Sequence, residues 1–394
     1  MVPLIESDER QRGDGPWLTA LCDRYLRYLS ANDYSARSAP LDDVPGHLLV
    51  AKVFGMGDSV LVRSIVEQLR GRHPQMEIGV LAGPPTVELL TLGSNYRVHI
   101  YSQKDLSVKT ALGLLREIRR CRYDAILNFE QGSLAGTAFL ALTGIPLRIG
   151  FLAPGLEIKS RFLTHVLRFD DSRSMWESFG DLARLADPGL VTAKSALAIR
   201  CRPDTERWVD QWWNSRVAVS ALPVAFHLGS APGMDFRRWP LERFVHLARE
   251  LDSRRAGVCV LLTGTEVEKD LITQFMRDYS GCAVDASALG SIERTVGVLQ
   301  RCGLLVSNDT GIMHLGAALG VPTVGLFGPN TPRHWAPIGP RAAYVYDTAE
   351  PCSPCINNYT NRMPAACVNP VKSRCMYDIS VASVLNAAER VLHP

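Results

Sequence analysis

Ser307-Asn308-Asp309-Thr310-Gly311-Ile312-Met313-His314-Leu315-Gly316-Ala317-Ala318-Leu319-Gly320-Val321-Pro322-Thr323-Val324-Gly325-Leu326-Phe327-Gly328-Pro329 is the stretch that decides the fold class. Leu304-Leu305-Val306 before it reads as a short buried strand, and Ser-Asn-Asp at its end is a helix N-cap signal. Gly311 lets backbone come close to whatever lies over the turn. Thr310 and the free amides of a helix start suit a phosphate, helped by the helix dipole. The helix stops at Gly320 with Pro322 just beyond, and Thr323 to Phe327 is the next strand. The stretch is therefore one βαβ unit with a polar rim at the carboxyl ends of its strands, where open α/β sheets bind ligands.

Outward from this unit the same alternation recurs in both directions. His47 to Val53 is a strand that opens into Gly55-Met56-Gly57-Asp58-Ser59 and a helix to Gly71. Strands at Glu77–Leu81, Arg97–Tyr101 and Tyr123–Phe129 follow, separated by helices near Thr86–Thr91 and Val108–Arg120, and a helix over Gly132–Thr143 leads to a short strand and turn at Arg148–Phe151. A second series starts after Pro223, with strands Val224–Leu228 and Val258–Thr263 and helices Leu241–Ser253, Glu268–Asp278 and Ile292–Arg301. Alternation of this kind specifies parallel sheets with helices on both faces, in two similarly built doubly wound α/β domains. The expected division is an N-terminal, partly helical extension over 1–45, a first domain over 46–220 and a second over 221–350. Residues 351–394 form a Cys-rich segment and a last helix, Val381 to Leu392. In the extension, Trp17, Leu18, Leu21, Tyr25, Leu26 and Leu29 give Pro16–Ala31 an apolar face at helical spacing.

A chain of 394 residues has material for two cores, and 46% apolar with 21% charged residues is ordinary for a globular protein. A net charge of +3 is too small to argue for nucleic acid. No apolar run approaches a membrane span, and the polar, acidic N-terminus is unlike a signal peptide, so a cytoplasmic location is expected. Ten cysteines are then read as thiols, not as a disulfide framework.

Four places carry chemistry. Asp58, after the two glycines of a strand-to-helix turn, is either a plain N-cap or a carboxylate able to take a proton from an attacking hydroxyl. The glycine spacing there does not match Gly-x-Gly-x-x-Gly, which argues against a dinucleotide fold. His227-Leu228-Gly229-Ser230 opens a Gly/Ser loop suited to phosphate, with Arg237 and Arg238 ahead of Trp239-Pro240 either neutralising it or simply solvated. Glu266, in Thr263-Gly264-Thr265-Glu266, is a cap or an acceptor for sugar hydroxyls. His314 lies about a turn and a half into the helix of the decisive stretch, as packing or as a ligand contact. Finally, Cys352, Cys355, Cys367 and Cys375 are spaced Cys-x2-Cys-x11-Cys-x7-Cys. They read either as a structural four-thiolate knuckle for zinc or iron, or as reduced thiols in a packed loop.

With these residues in hand, the chain from His47 onward resembles glycosyltransferase family 9, the ADP-heptose:lipopolysaccharide heptosyltransferases. Asp309-Thr310-Gly311-x-x-His314, Ala317-Ala318-x-Gly320-x-Pro322 and Leu326-Phe327-Gly328-Pro329 carry the resemblance, supported by Gly57-Asp58, Arg148-Ile149-Gly150 and Arg238-Trp239-Pro240. The resemblance implies a GT-B fold, two Rossmann-like domains facing a cleft, with a final helix that often crosses back to the first domain. It implies Asp58 as general base, Ser230 and Asp309, Thr310 and Gly311 as the diphosphate site, Glu266 on the ribose or adenosine, and His314 near the donor. Arg237 stands where the family has a phosphate-binding lysine.

The expectation is an inverting glycosyltransferase that moves a heptose or related sugar from an ADP-sugar to an acceptor hydroxyl. No cofactor is required for catalysis, so any zinc or iron on the four cysteines is structural. Partners are a nucleotide-sugar donor, expected to be ADP-heptose, and a glycan, lipid-linked or protein acceptor. Nucleic acid is excluded, while peripheral contact with the inner membrane and a homo-oligomer are left open. Two alternatives stand beside this reading: a GT-B sugar-nucleotide epimerase and a non-catalytic sugar-nucleotide-binding subunit. The acceptor loops, expected at Gln131–Thr137 and Pro154–Arg161, carry no generic code.

Overall fold

A computed structural model describes residues 36–102, 107–219, 221–255, 257–357 and 364–393. The helix expected over Pro16–Ala31 lies outside these residues. The chain divides into two compact units. The first runs to Phe54 and resumes over Ile65–Asp170 and Ser178–Val191, and the second comprises Gly55–Ser64, Asp171–Glu177 and the chain from Thr192.

The first unit is built on a six-stranded sheet of β1 (His47–Ala51), β2 (Glu77–Ala82), β3 (Arg97–Ile100), β4 (Ala125–Asn128), β5 (Leu147–Leu152) and β6 (His165–Arg168). Its strand order is β3-β2-β1-β4-β5-β6, and every pair is parallel. β1 and β4 are apolar almost throughout because helices cover both faces of a parallel sheet. Leu49, Ala51 and Ile126 meet Leu115 and Ile118 of the helix Val108–Arg120 and Phe139 and Leu140 of the helix Leu134–Leu142. Ser107 caps the former helix, its hydroxyl accepting from the Thr110 amide. At the far edge, Arg37 adds a parallel bridge to His165 of β6. Its amide donates to the Thr164 carbonyl and its carbonyl accepts from the Val166 amide, both at 2.8 Å.

Where β4 ends, Glu130 accepts on Oε1 from the amides of Val53 (2.7 Å) and Phe54 (2.9 Å) and from Lys52 Nζ (3.2 Å). Lys159, wholly buried in the short 3-10 helix Glu157–Arg161, donates from Nζ to the carbonyls of Glu130 and Gln131, each at 2.9 Å. Burial pulls its pKa down to about 8, against the opposing pull of Glu130.

The second unit repeats the plan with β7 (Leu222–His227), β8 (Val258–Gly264), β9 (Cys282–Ser287), β10 (Leu304–Asn308), β11 (Thr323–Leu326) and β12 (Ala342–Val345). The order is β12-β11-β10-β7-β8-β9, again parallel throughout. Val224, Phe226, Val260, Leu262, Leu304, Val306 and Val324 form its core with Trp239, Phe244 and Phe275. The last helix, Val381–Leu392, stays with this sheet, burying Val384, Leu385, Ala387, Ala388 and Val391 in the same core.

Three strands were not among those expected from the sequence: β6, β9 and β12. β9 and β12 bury only one residue each; Asp285 interrupts β9, and β12 is only four residues, Ala342–Val345. The reading of all ten cysteines as thiols is corrected at one pair. The β8/β9 register sets Cys259 opposite Cys282, their Cα atoms 4.7 Å apart, and the two are joined in a disulfide. Among the described residues no helix is long and apolar enough to cross a membrane.

Candidate active site

β10 delivers Asn308 and Asp309 to the carboxyl edge of the second sheet, and Thr310 turns the chain into the helix Gly311–Ala318. Thr310 is extended and makes no side-chain cap, so the first amides of this helix have no hydroxyl cap of their own. Its Oγ1 instead lies 3.2 Å from Ser307 Oγ. A cavity of about 540 Å³ opens here, lined by Asp58, Ser230, Arg237, Asp309, Thr310, Gly311 and His314 among others. Of the eight non-cysteine residues expected at the site, it collects every one except Glu266.

Asp309 is 6% exposed and its carboxylate is engaged. Oδ2 accepts from Arg237 Nη2 at 2.6 Å and from Asn330 Nδ2 at 2.8 Å, and the Asp309 carbonyl accepts from the same Nη2 at 2.7 Å. A carboxylate so satisfied serves less as a ligand than as the clamp that fixes the guanidinium. Arg237 keeps one buried donor, Nε, without a partner. A desolvated N–H with nothing to bind costs roughly 1–3 kcal/mol and is usually answered by a ligand.

His314 presents a second such atom. It is 3% exposed, sits edge-on to Trp335 with ring centroids 6.4 Å apart, and its buried Nδ1 has no partner. Burial lowers its pKa, while Asp309 and Asp58 act to raise it and Arg237 to lower it, so the ring is neutral at pH 7. Two glycines permit this crowding. A Cβ on Gly57 would stand 2.7 Å from His314 Cδ2, and one on Gly311 2.7 Å from Met56 Cγ and Sδ. Asp58, in the first turn of the helix Met56–Arg72, is half-buried and its charge reaches His314.

Elsewhere the wall differs from expectation in detail. Ser230 is buried, but its hydroxyl donates to the Met234 carbonyl (3.0 Å) and accepts from Arg238 Nε (3.1 Å), which braces the loop from within. Arg238 also pairs with Asp235 at 2.8 Å. Glu266 is exposed and does not line the cavity; Glu268, two residues on, is buried and does. Glu268 Oε2 accepts from the Thr265 amide and hydroxyl, both at 2.7 Å, in a capping box. The Thr265-x-x-Glu268 spacing was the available signal. Ile292, Val267 and Ala286 give this end of the cavity an apolar lining. Nothing local in the sequence marked Asn330, Trp335 or Ile356.

Cys355 and Cys375 are buried, and Cys352 and Cys367 half-buried. The Cys375 thiol is pushed up to about 12 by burial first, then by Cys355, Cys367 and Cys352. The four therefore share a neighbourhood. Among the described residues, however, no group of three or more His, Cys, Asp or Glu side chains is arranged to hold a metal ion. As placed, the thiols do not fit zinc or iron, and the structural metal has no support.

The family model of glycosyltransferase family 9 (heptosyltransferase) matches residues 111–365. Lipopolysaccharide heptosyltransferase 2 of Salmonella typhimurium is 25% identical over 319 residues, covering 76% of this chain and 87% of that protein. Among solved structures, a family 9 glycosyltransferase from Veillonella parvula superposes with a TM-score of 0.75 at 20% identity, covering 90% of this chain and 99% of the other. The ADP-heptose lipopolysaccharide heptosyltransferase II of Escherichia coli gives 0.66 at 21% identity, covering 88% and 98%. The two six-stranded parallel sheets are those of these GT-B enzymes.

Proposed function

The chain belongs to glycosyltransferase family 9, the heptosyltransferases, and we propose that it moves a heptose from an ADP-sugar to a hydroxyl of a lipopolysaccharide core acceptor with inversion. The observation that carries this reading is the cavity of about 540 Å³ that holds Asp58 together with two buried, unpartnered polar atoms, Arg237 Nε and His314 Nδ1. Asp58 takes the proton of the acceptor hydroxyl as its oxygen attacks the anomeric carbon. The bond from that carbon to the diphosphate breaks, and the electron pair leaves with the nucleoside diphosphate. Arg237, held by Asp309, and the uncapped amides at Gly311 meet the charge that develops on the leaving oxygen. The apolar pocket of Ile292, Val267 and Ala286, rimmed by Glu268 and Thr265, suits a purine nucleoside. The relatives' names supply the sugar and the acceptor class.

Asp58→Ala tests the base. Transfer should fall by about 10²–10⁴-fold while ADP affinity stays within about twofold, read by product formation and calorimetry. Undiminished turnover would remove Asp58 from this role. A thermal-shift comparison of ADP-, GDP- and UDP-sugars tests the donor, and the ADP-sugar should stabilise most.

A further inference from the structure

Asn308 does not line the cavity, yet its side chain ties together three stretches that do. The residue is wholly buried at the end of β10. Its Nδ2 donates to the carbonyls of Leu228 (3.0 Å) and Gly229 (2.9 Å), and its Oδ1 accepts from the Trp239 amide (2.9 Å). The orientation of the amide is fixed by chemistry: two carbonyls can only accept and a peptide N–H can only donate. Leu228 and Gly229 lead directly into Ser230. Trp239 closes the turn that carries Arg237 and Arg238, and Asp309 and Thr310 follow Asn308 in the chain. One carboxamide thus sets the spacing between the Ser230 loop, the Arg237 guanidinium and the start of the helix Gly311–Ala318.

We propose that Asn308 is a positioning residue for the diphosphate of the donor. The inference rests on the nucleoside-diphosphate reading given above. Only an amide meets the requirement. A carboxylate of the same shape would face two carbonyl oxygens at 2.9–3.0 Å with no proton to offer, and would add a buried charge beside Asp309. A hydroxyl on a shorter stem would not reach all three groups. The sub-ångström placement of Arg237 relative to the helix amides is what a diphosphate reads, whereas the nucleoside contacts the β8 end of the cavity, which Asn308 does not touch.

The test uses the full chain carrying Asn308→Asp and, separately, Asn308→Ser, with folding checked by circular dichroism. Affinities for ADP and for adenosine are measured by calorimetry, and donor and acceptor KM by turnover. ADP affinity and donor KM should worsen by about tenfold or more, with adenosine affinity and acceptor KM within about twofold. In Asn308→Asp, ADP affinity should recover partly as the pH falls, because the protonated carboxyl regains one donor. Should Asn308→Asp fail to fold, the Asn308→Ser comparison decides. Equal losses for ADP and adenosine, or no loss for ADP, would overturn the inference in favour of a general packing role. If the wild-type chain prefers another nucleoside diphosphate, the ADP assignment fails alone, and the same comparison against that nucleoside judges Asn308. A wild-type chain that binds no nucleoside diphosphate overturns both.

Discussion

Arg237 and His314 show how a buried site can be read from what its atoms lack. The Arg237 guanidinium does what an ammonium cannot: Nη2 bridges the Asp309 carboxylate and carbonyl while Nε stays available. Arg237→Lys keeps the charge but not this fork, so donor KM should rise by about tenfold with acceptor KM unchanged, measured by steady-state kinetics. His314 has a pKa lowered by burial, so the native state binds its proton less readily than the unfolded chain. Stability from this group is therefore present above the ordinary histidine range and lost as pH falls through it. Urea unfolding from pH 7.5 to about 5 should show His314→Gln with a shallower acid loss than wild type. His227, also buried and lowered, retains its own share. Seven of the eight non-cysteine residues singled out in the sequence line the cavity. Asp309 reads as a phosphate partner because a strand-end Asp before a helix resembles one; its engagement with Arg237 and Asn330 depends on loops 72 and 21 residues away. Glu266 and Glu268 follow one strand two residues apart, and only the short 3-10 turn between them decides which faces in.

At the level of elements, the two loops marked for the acceptor, Gln131–Thr137 and Pro154–Arg161, are joined by one side chain. Lys159 reaches from the second to the carbonyls of Glu130 and Gln131 at the head of the first. No sequence pattern distinguishes a lysine that will be buried from one that will be solvated. Its pKa is drawn from 10.5 down to about 8 by burial, so the native state holds fewer protons than the unfolded chain between those values. Stability from this group is suppressed below about 8 and rises as the pH climbs towards 10.5. Lys159→Met should flatten that alkaline rise, as measured by urea unfolding across the range. Glu130 extends the same brace to the amides of Val53 and Phe54, the last residues before the Gly55–Ser59 turn. Helices with clear caps and amphipathic faces, Val108–Arg120 and Val381–Leu392, were legible to the residue.

Across the whole molecule, most strands covered on both faces were visible as apolar runs, as at β1, β4, β7, β8 and β10, and the half-exposed β9 and β12 were missed; β3 was expected although it buries a single residue. The Cys259–Cys282 bond escaped for a related reason, since it depends on the register of a strand that was not seen. The backbone bridge from Arg37 to β6 has its own bearing on behaviour in solution. A parallel sheet ends in an unpaired row of amides and carbonyls, and such an edge recruits strands from other molecules. Arg37 occupies part of that row beside Thr164 and Val166, and Leu41 secures the segment by donating its amide to the Leu185 carbonyl at 2.7 Å. Starting the chain at residue 46 would strip the guard from β6. Such a shortened protein should fold its two sheets yet self-associate at concentrations where the full chain does not, with light scattering as the readout. On that outcome, the segment that carries Arg37 and Leu41 is a shield against misassembly and not a mere lead-in to β1.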